Sequence, residues 1–138
     1  MSRILRGHPG IGPRVAGVAL VARDHFSARY DLDRIRGVFS RPQHALFGER
    51  YVGRVLVLLG AKGGVATSWM LREMRERGMA PAALLLNTAN PIMAQGAAFA
   101  GLSFMDRFET DVTEAIRTGE RVVVDPAAGL VTVDAPAD

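Results

Sequence analysis

A strand-like apolar run leads directly into a glycine-rich turn and then into a helical pattern, and this order constrains the fold most. Residues 54–59 read Arg-Val-Leu-Val-Leu-Leu, residues 60–64 read Gly-Ala-Lys-Gly-Gly, and a helical pattern follows from Thr67. The first N–H groups of a helix have no intrahelical partner, and the helix dipole adds partial positive charge there. The sequence therefore predicts a turn that can hold a carboxylate or a phosphate through its backbone.

The side chains of this turn and of the first helical turn are the first candidates for chemistry. Lys62 is the only lysine of the chain, Gly63 and Gly64 allow close approach of a ligand, and Thr67 and Ser68 supply hydroxyls. Two explanations of Lys62 stay open: its amine has a function, or a single lysine occurs here by chance in an arginine-rich chain. The glycines also have two explanations, because a tight strand-to-helix turn needs them for its dihedral angles alone.

Length and composition predict a single domain over residues 1–138. The chain has 138 residues, 49% of them hydrophobic, which is enough for one core. There is no cysteine, so this chain alone can form no disulfide, thiolate nucleophile or thiolate-bound iron–sulfur site. No apolar run approaches the length of a membrane span, and we expect a soluble, cytoplasmic protein without a membrane partner.

Charge and histidine spacing argue against two further classes of site. The sequence pI is about 10.2, yet the net charge is only +3 and the arginines are scattered among acids. We therefore expect no nucleic-acid partner. His8, His25 and His44 lack the spacing of metal ligands on a helix, so we expect no metal site in this chain.

Periodicity and punctuation along the chain predict an α/β fold. Asn90 with Pro91, and Asp111 with Glu114, are typical helix starts, whereas Gly78 and Gly101 are typical helix ends. The predicted strands are residues 14–22, 51–59, 82–86, 102–105, 121–124 and 130–133, the last two as a hairpin, and the predicted helices are residues 67–77, 92–100 and 111–118. Alternating strands and helices in the second half favour a layered sheet with helices on it.

The segment 23–50 is polar, aromatic and rich in arginine, and it has poor periodicity. A connection this long is usually functional or contains short elements of its own. Its candidate pocket residues are Ser27, Arg29, Tyr30, Asp31 and His44. Arg29 suits two-point capture of a carboxylate. A solvated loop with internal turn hydrogen bonds is the alternative.

Three blocks of the chain, residues 53–74, 78–87 and 90–102, resemble the small subunit, or swivel domain, of the aconitase X family. Upstream residues match that family's spacing as well: Ser27, Asp33, Gly37, His44, Leu46, Phe47 and Gly48. The resemblance covers most of the chain. It implies a swivelling β/β/α domain, similar to that of aconitase, with a mixed sheet and helices packed on it.

The resemblance also implies a function. Aconitase X proteins are hydro-lyases, including cis-3-hydroxyproline and phosphomevalonate dehydratases, in which a large cysteine-bearing part holds an iron–sulfur cluster. We therefore expect a small, non-autonomous subunit that dehydrates a small hydroxy or hydroxyamino carboxylate together with a large subunit. The expected catalytic residues are Lys62, Thr67 and Ser68. The expected substrate-binding residues are Gly63, Gly64, Ser27, Arg29 and Tyr30.

Two departures from the family pattern leave alternatives open. Gly64 stands where the family turn has a serine proposed as catalytic, and Arg29, Tyr30 and Asp31 replace a Trp-Gly-Gly run. Proton transfer then falls to Lys62, Thr67, Ser68 or the large subunit, or else the substrate differs, and this departure argues against phosphomevalonate. A non-catalytic binding or regulatory module and a stand-alone phosphate-binding domain are the other interpretations.

Overall fold

A computed structural model describes residues 2–27, 30–61, 65–89 and 91–134, and for residues 2, 65–68, 92 and 93 it describes the main chain alone. In chain order the elements are β1 (Ser2–Arg6), β2 (Val15–Val21), β3 (His25–Phe26), β4 (Leu32–Asp33), β5 (Val38–Phe39), β6 (Val55–Ala61), α1 (Val65–Glu76), β7 (Ala83–Thr88), α2 (Pro91–Ala100), β8 (Ser103–Met105), α3 (Val112–Ala115), β9 (Arg121–Asp125) and β10 (Leu130–Asp134).

One mixed sheet organises these elements, in the order β1-β10-β9-β2-β6-β7-β8, with β3 pairing β6 beyond the end of β2. The pairs among β1, β10, β9 and β2 are antiparallel, whereas β2, β6, β7 and β8 run parallel. The fold class predicted from the sequence, a mixed sheet with helices packed on it, is confirmed.

The central strands β6 and β7 are apolar on both faces because both faces of the sheet are covered. Leu56, Leu58, Leu84 and Leu86 face α1, α2 and the segment 22–52. The alternate residues of the two strands join a second core with α3, β9 and β10. Side chains of a strand alternate between faces, so a continuous apolar run is the pattern expected of a strand buried on both sides.

Helices α1 and α2 pack against each other and end at the glycines that the sequence indicates. Gly78 has φ 71° and Gly101 has φ 66°. The N–H of Met79 bonds to the carbonyl of Met74, and Gly78 bonds to that of Arg75. This is the hydrogen-bond pattern of a Schellman motif, in which a left-handed glycine satisfies the last helical carbonyls.

The prediction was wrong for the helix after Asp111 and incomplete for the segment 23–50. α3 ends at Ala115, not at Thr118, because Ile116 takes an extended conformation and is buried in the second core. β1 was not predicted, and neither were the short strands β3, β4 and β5. Two-residue strands leave no periodic signal, and their pairing depends on neighbours distant in sequence.

A polar cluster holds the start of α3 against the end of β7. Asp111 caps the helix by accepting hydrogen bonds from the N–H and hydroxyl of Thr113, and Asn87 donates to the same carboxylate at 2.8 Å. Asn87 in turn accepts the N–H of Val112 at 2.8 Å, and Arg23 lies 2.9 Å from the second oxygen of Asp111. The hydrogen bonds from Thr113 and Asn87 hold the pKa of Asp111 well below its usual value of 3.8.

Asp111→Ala is expected to lower the free energy of unfolding at neutral pH by about 2 kcal/mol, since an N-cap and its hydrogen bonds are lost. A carboxylate whose folded-state pKa is depressed stabilises the fold above its unfolded pKa, and this contribution disappears as the pH falls through the folded value. The difference in the free energy of unfolding between wild type and Asp111→Ala, measured by urea titration, should therefore be smaller at pH 2 than at pH 7. The exposed Glu109, changed to Ala, is the control. A difference independent of pH would contradict the assignment.

None of the helices that the structure describes has the length and apolar character required to cross a membrane. The cytoplasmic location and the single domain over residues 1–138 stay predictions.

Candidate functional site

The carboxyl ends of the parallel strands form one edge of the sheet, and the candidate site lies there. β6 ends at Ala61 just before α1, and β7 ends at Thr88 just before α2. β3 runs parallel beside the end of β6, with His25 next to Gly60 and Phe26 next to Ala61. Ligands of open α/β sheets bind outside this edge, because loops and helix starts converge there.

The row His25–Gly60–Thr88 crosses this edge. Gly60 pairs with His25 on one side and with Thr88 on the other. The point that a Cβ of Gly60 would occupy lies 3.3 Å from Cδ2 of His25, 3.2 Å from the carbonyl oxygen of Thr88 and 3.4 Å from its hydroxyl. Because Gly60 has no side chain, only its main chain lies between the imidazole of His25 and the hydroxyl of Thr88.

The predicted turn residues fall largely outside the described part of the chain. Lys62, Gly63, Gly64 and Arg29 lie outside the described residues. Thr67 and Ser68 belong to the first turn of α1 (Val65–Glu76), and their side chains also lie outside the description. The strand–turn–helix order that frames residues 62–64 is confirmed, whereas the roles of these six residues stay predictions.

Ser27 follows β3 directly and is buried. Its N–H donates to Oδ2 of Asp31 at 2.9 Å, and its carbonyl accepts the N–H of Asp31 at 3.0 Å. Its hydroxyl accepts the N–H of Tyr30 at 3.4 Å, and the residue is 5% exposed. The predicted residues Ser27 and Tyr30 are thus brought together, and the hydrogen bonds of Ser27 hold the main chain of this turn.

Asp31 is a buried carboxylate that ties this turn to the rest of the segment. Nε of Arg41 donates to its Oδ1 at 2.6 Å, while the Arg41 side chain stays about one third exposed at 36%. The N–H groups of Ser40 and Arg41 also bond to the Asp31 carbonyl. Buried carboxylates require such partners. Arg41 was not among the predicted residues, and nothing in its local sequence distinguishes it from the other arginines.

His44 is fully buried and bonded through both ring nitrogens. Nδ1 accepts the N–H of Leu46 at 3.0 Å, so the proton belongs on Nε2, which donates to the His25 carbonyl at 2.8 Å. The ring stacks on Phe39 with centroids 4.7 Å apart. His44 therefore fixes β3 through the His25 carbonyl, and both of its ring nitrogens are used, so neither can bind a ligand.

Asp24 completes this support. Its carboxylate accepts the N–H of His25 at 2.8 Å and that of Ala45 at 3.1 Å. Burial alone would raise the pKa of Asp24, but these two hydrogen bonds outweigh it and keep the pKa below the usual value. The polar pocket face predicted from Asp31 and His44 is therefore wrong in one respect: both side chains face inward and position the segment 24–31.

Aromatic side chains remain exposed near this edge. Tyr30, in the turn with Ser27, is 67% exposed, and Trp69, in the second turn of α1, is 65% exposed. Trp69 is the only tryptophan of the chain, so its fluorescence reports on the start of α1.

A cleft of about 400 Å³ opens at the same edge, between the end of β7, the start of α2 and residues 9–11. Thr88, Pro91, Phe104, Asp106 and Arg107 are among the residues that line it. Arg107 has φ 53°, a left-handed conformation that is uncommon for a residue other than glycine. Thr88 and Arg107 were not predicted, although their positions after parallel strands could have indicated them. Among the described residues, no group of three His, Asp or Glu side chains could hold a metal ion.

Comparison with known proteins identifies the fold and the family. A sequence profile of the aconitase X swivel domain matches residues 4–133. A phosphomevalonate dehydratase small subunit of Methanocella arvoryzae is 36% identical over 127 residues, which cover 92% of this chain and 96% of that protein. A protein of the same name from Methanothrix thermoacetophila is 34% identical over 129 residues, covering 94% of this chain and 93% of that one.

A solved structure agrees in fold. The crystal structure of Thermococcus kodakaraensis aconitase X in its holo-form superposes with a TM-score of 0.89 over 96% of this chain and 99% of that chain, at 24% sequence identity. The swivel-domain match over nearly the whole chain, together with relatives above 30% identity, means that this chain belongs to the aconitase X family.

Proposed function

We propose that this chain is the small, non-autonomous subunit of an aconitase X-type hydro-lyase, which dehydrates a small hydroxy carboxylate together with a separate large subunit. The swivel-domain match over residues 4–133 carries the proposal. The names of the two relatives support it, because both proteins are called small subunits of a dehydratase. The edge formed by β3, β6 and β7 supports the position of the site.

Dehydration requires a base that removes a proton next to the carboxylate and assistance for the departing hydroxide. In this proposal Lys62 neutralises the carboxylate or acts as the base, and the hydroxyls of Thr67 and Ser68 bind or transfer the proton. A serine or threonine is a weak base at its ordinary pKa, so a neighbouring cation and backbone N–H groups have to activate it. The chain order supports this arrangement, because residues 62–64 connect the carboxyl end of β6 to the start of α1.

Binding of the substrate is assigned to backbone N–H groups of Gly63 and Gly64 and to Arg29, whose guanidinium suits a carboxylate. Ser27 and Tyr30, joined by the hydrogen bond from the Tyr30 N–H to the Ser27 hydroxyl, are assigned to the same surface. The buried bonds from Asp31 to Ser27 and from His44 to β3 support a fixed position for Ser27. Tyr30 is the member of this pair whose side chain is exposed at the surface.

The large subunit is proposed to carry the iron–sulfur cluster. This chain has no cysteine, so it offers no thiolate ligand for one. A cluster of that kind supplies a Lewis acid for the departing hydroxide, and the residues of this chain would bind the substrate and move its proton.

Phosphomevalonate is the first substrate to test. Both relatives described above carry it in their names and align over more than nine-tenths of this chain. Gly64, in place of the family's serine, was a reason to expect another acid. The names of these relatives, at 36% and 34% sequence identity, are a reason to expect phosphomevalonate. A hydroxyproline and unphosphorylated hydroxy acids belong in the same panel.

Co-expression of this chain with a large aconitase X subunit is expected to give a stable complex that dehydrates one acid of the panel, whereas each subunit alone is inactive. Product formation can be followed by NMR or mass spectrometry. A complex that forms but turns over none of the acids would favour the non-catalytic module. A chain that binds no large subunit and is stabilised by inorganic phosphate alone would favour the stand-alone phosphate-binding domain.

A further inference from the structure

We propose that His25 and Thr88, on either side of Gly60, form a notch that binds an oxyanion group of the substrate, with the cleft beyond Thr88 receiving the remainder of the molecule. This inference rests on the proposed function and adds two binding residues to it. Neither residue was a predicted site residue.

Gly60 and Thr88 share one face of the sheet, and the His25 ring reaches the same point, with Cδ2 3.3 Å from the position of a Gly60 Cβ. Leu56 and Leu58 of β6 and Leu84 and Leu86 of β7 belong to the core under α1 and α2. Because side chains alternate along a strand, Gly60 and Thr88 point to that same face two residues later. The notch therefore lies where the sheet ends and where α1 and α2 begin.

The imidazole and the hydroxyl border the same small space. Both lie within 3.4 Å of the point that a Gly60 Cβ would occupy, so any larger residue at position 60 would fill the notch. The backbone of Gly60 does not have a positive φ, so its conformation alone does not require glycine. The space between His25 and Thr88 is a sufficient reason for a residue without a side chain.

Both side chains are exposed and have unused hydrogen-bonding capacity. His25 uses its N–H with Asp24 and its carbonyl with His44, but its ring nitrogens have no partner in the described part of the chain. The Thr88 hydroxyl likewise has none among those residues. An imidazole N–H and a hydroxyl are both donors, so together they suit one oxyanion.

The groups around His25 and Thr88 leave the notch accessible to a ligand. The Asp24 carboxylate, the nearest acid along the chain, is already bonded to two N–H groups and leaves the His25 ring free. Thr88 also lines the cleft of about 400 Å³, and the charged residues of its lining are Arg107 and Asp106. That volume is sufficient for a small acid.

The test uses the reconstituted complex with Thr88→Val, His25→Gln and Gly60→Ala. Loss of a hydrogen bond to a charged group is expected to raise KM by roughly tenfold in Thr88→Val and His25→Gln, with kcat changed much less. Gly60→Ala is expected to raise KM as well, because the added methyl group occupies the space between the two side chains. Thr132→Val, on the distant strand β10, is the matched control and should leave KM unchanged. Thermal unfolding of each variant reports whether it folds. If Thr88→Val and His25→Gln fold and their KM values stay within twofold of wild type, the proposal that these two residues bind the substrate is wrong.

A second measurement separates this inference from the proposed function. If the wild-type complex turns over no acid, the proposed function fails, and the notch is then tested by NMR titration of the full chain with inorganic phosphate and with acetate. The ring signals of His25, identified by their absence in His25→Gln, should shift with at least one of the two ions and should shift less in Thr88→Val. Shifts with phosphate alone would indicate a phosphoryl group, and shifts with acetate a carboxylate. Ring signals unmoved by both ions would overturn the proposal.

Discussion

Lys62→Met is expected to reduce kcat of the reconstituted complex by at least about 100-fold, since a positioned acid or base contributes roughly 10²–10⁴ to such a step. Met keeps most of the length of the side chain and removes both the charge and the proton-accepting amine. Lys62 follows β6 directly in the chain and precedes α1, and His25 and Thr88 flank the end of that strand. Initial rates over a range of substrate concentrations measure the effect.

Two companion variants make this result specific. Lys62→Arg retains the charge but cannot serve as a base near neutral pH. If this variant is active, Lys62 has an electrostatic role. If it is as inactive as Lys62→Met, Lys62 is the base. Arg72→Met, on the exposed face of α1, removes a cation that pairs with Glu76 in the described part of the chain and should leave kcat unchanged. Full turnover by Lys62→Met would eliminate Lys62 from the mechanism and move proton transfer to another residue.

His44→Leu is expected to lower the free energy of unfolding by about 3 kcal/mol. The change leaves the carbonyl of His25 and the N–H of Leu46 without partners in a buried environment, and each such group costs about 1–3 kcal/mol. The stacking contact with Phe39 is lost as well. Urea titration of the isolated chain, followed by circular dichroism, measures the change.

The control for this variant is His8→Leu, because the His8 side chain is exposed and a surface substitution usually changes stability by about 0.5 kcal/mol or less. If His44→Leu were as stable as wild type, the ring would not be the support of β3 that its two hydrogen bonds indicate. Loss of that support should also loosen β3, because the His25 carbonyl loses its partner, and amide hydrogen exchange at His25 and Phe26 is then expected to become faster.

Much of the regular structure could be predicted because its causes are local. The apolar runs of β2 and β6, the glycines that end α1 and α2 and the cap at Asp111 each act over a few neighbouring residues. The helix after Asp111 was predicted too long because its end depends on tertiary packing. Ile116 leaves the helix to enter the second core, and no local breaker precedes Gly119.

The candidate site could be predicted only in part. The turn at residues 62–64 has a local signature, whereas Thr88 and His25 become site residues through the register of β7 and β3 on β6. Strand register depends on pairing between distant segments and leaves no mark in either segment alone. Asp31 and His44 were selected correctly as important polar residues but with the wrong role, because burial decides whether a polar group binds a ligand or supports a turn.

By itself the sequence determined the order of the elements other than β1 and the short strands β3, β4 and β5, the glycine-rich stretch between β6 and α1, the absence of cysteine and the resemblance to the aconitase X swivel domain. These properties depend on residue identity and on spacing along the chain. Only the tertiary structure decided which residues share the strand-end edge, that His44 is bonded at both nitrogens and that Thr88 faces a cleft. Those properties arise from strand pairing and burial, which bring together residues separated by tens of positions.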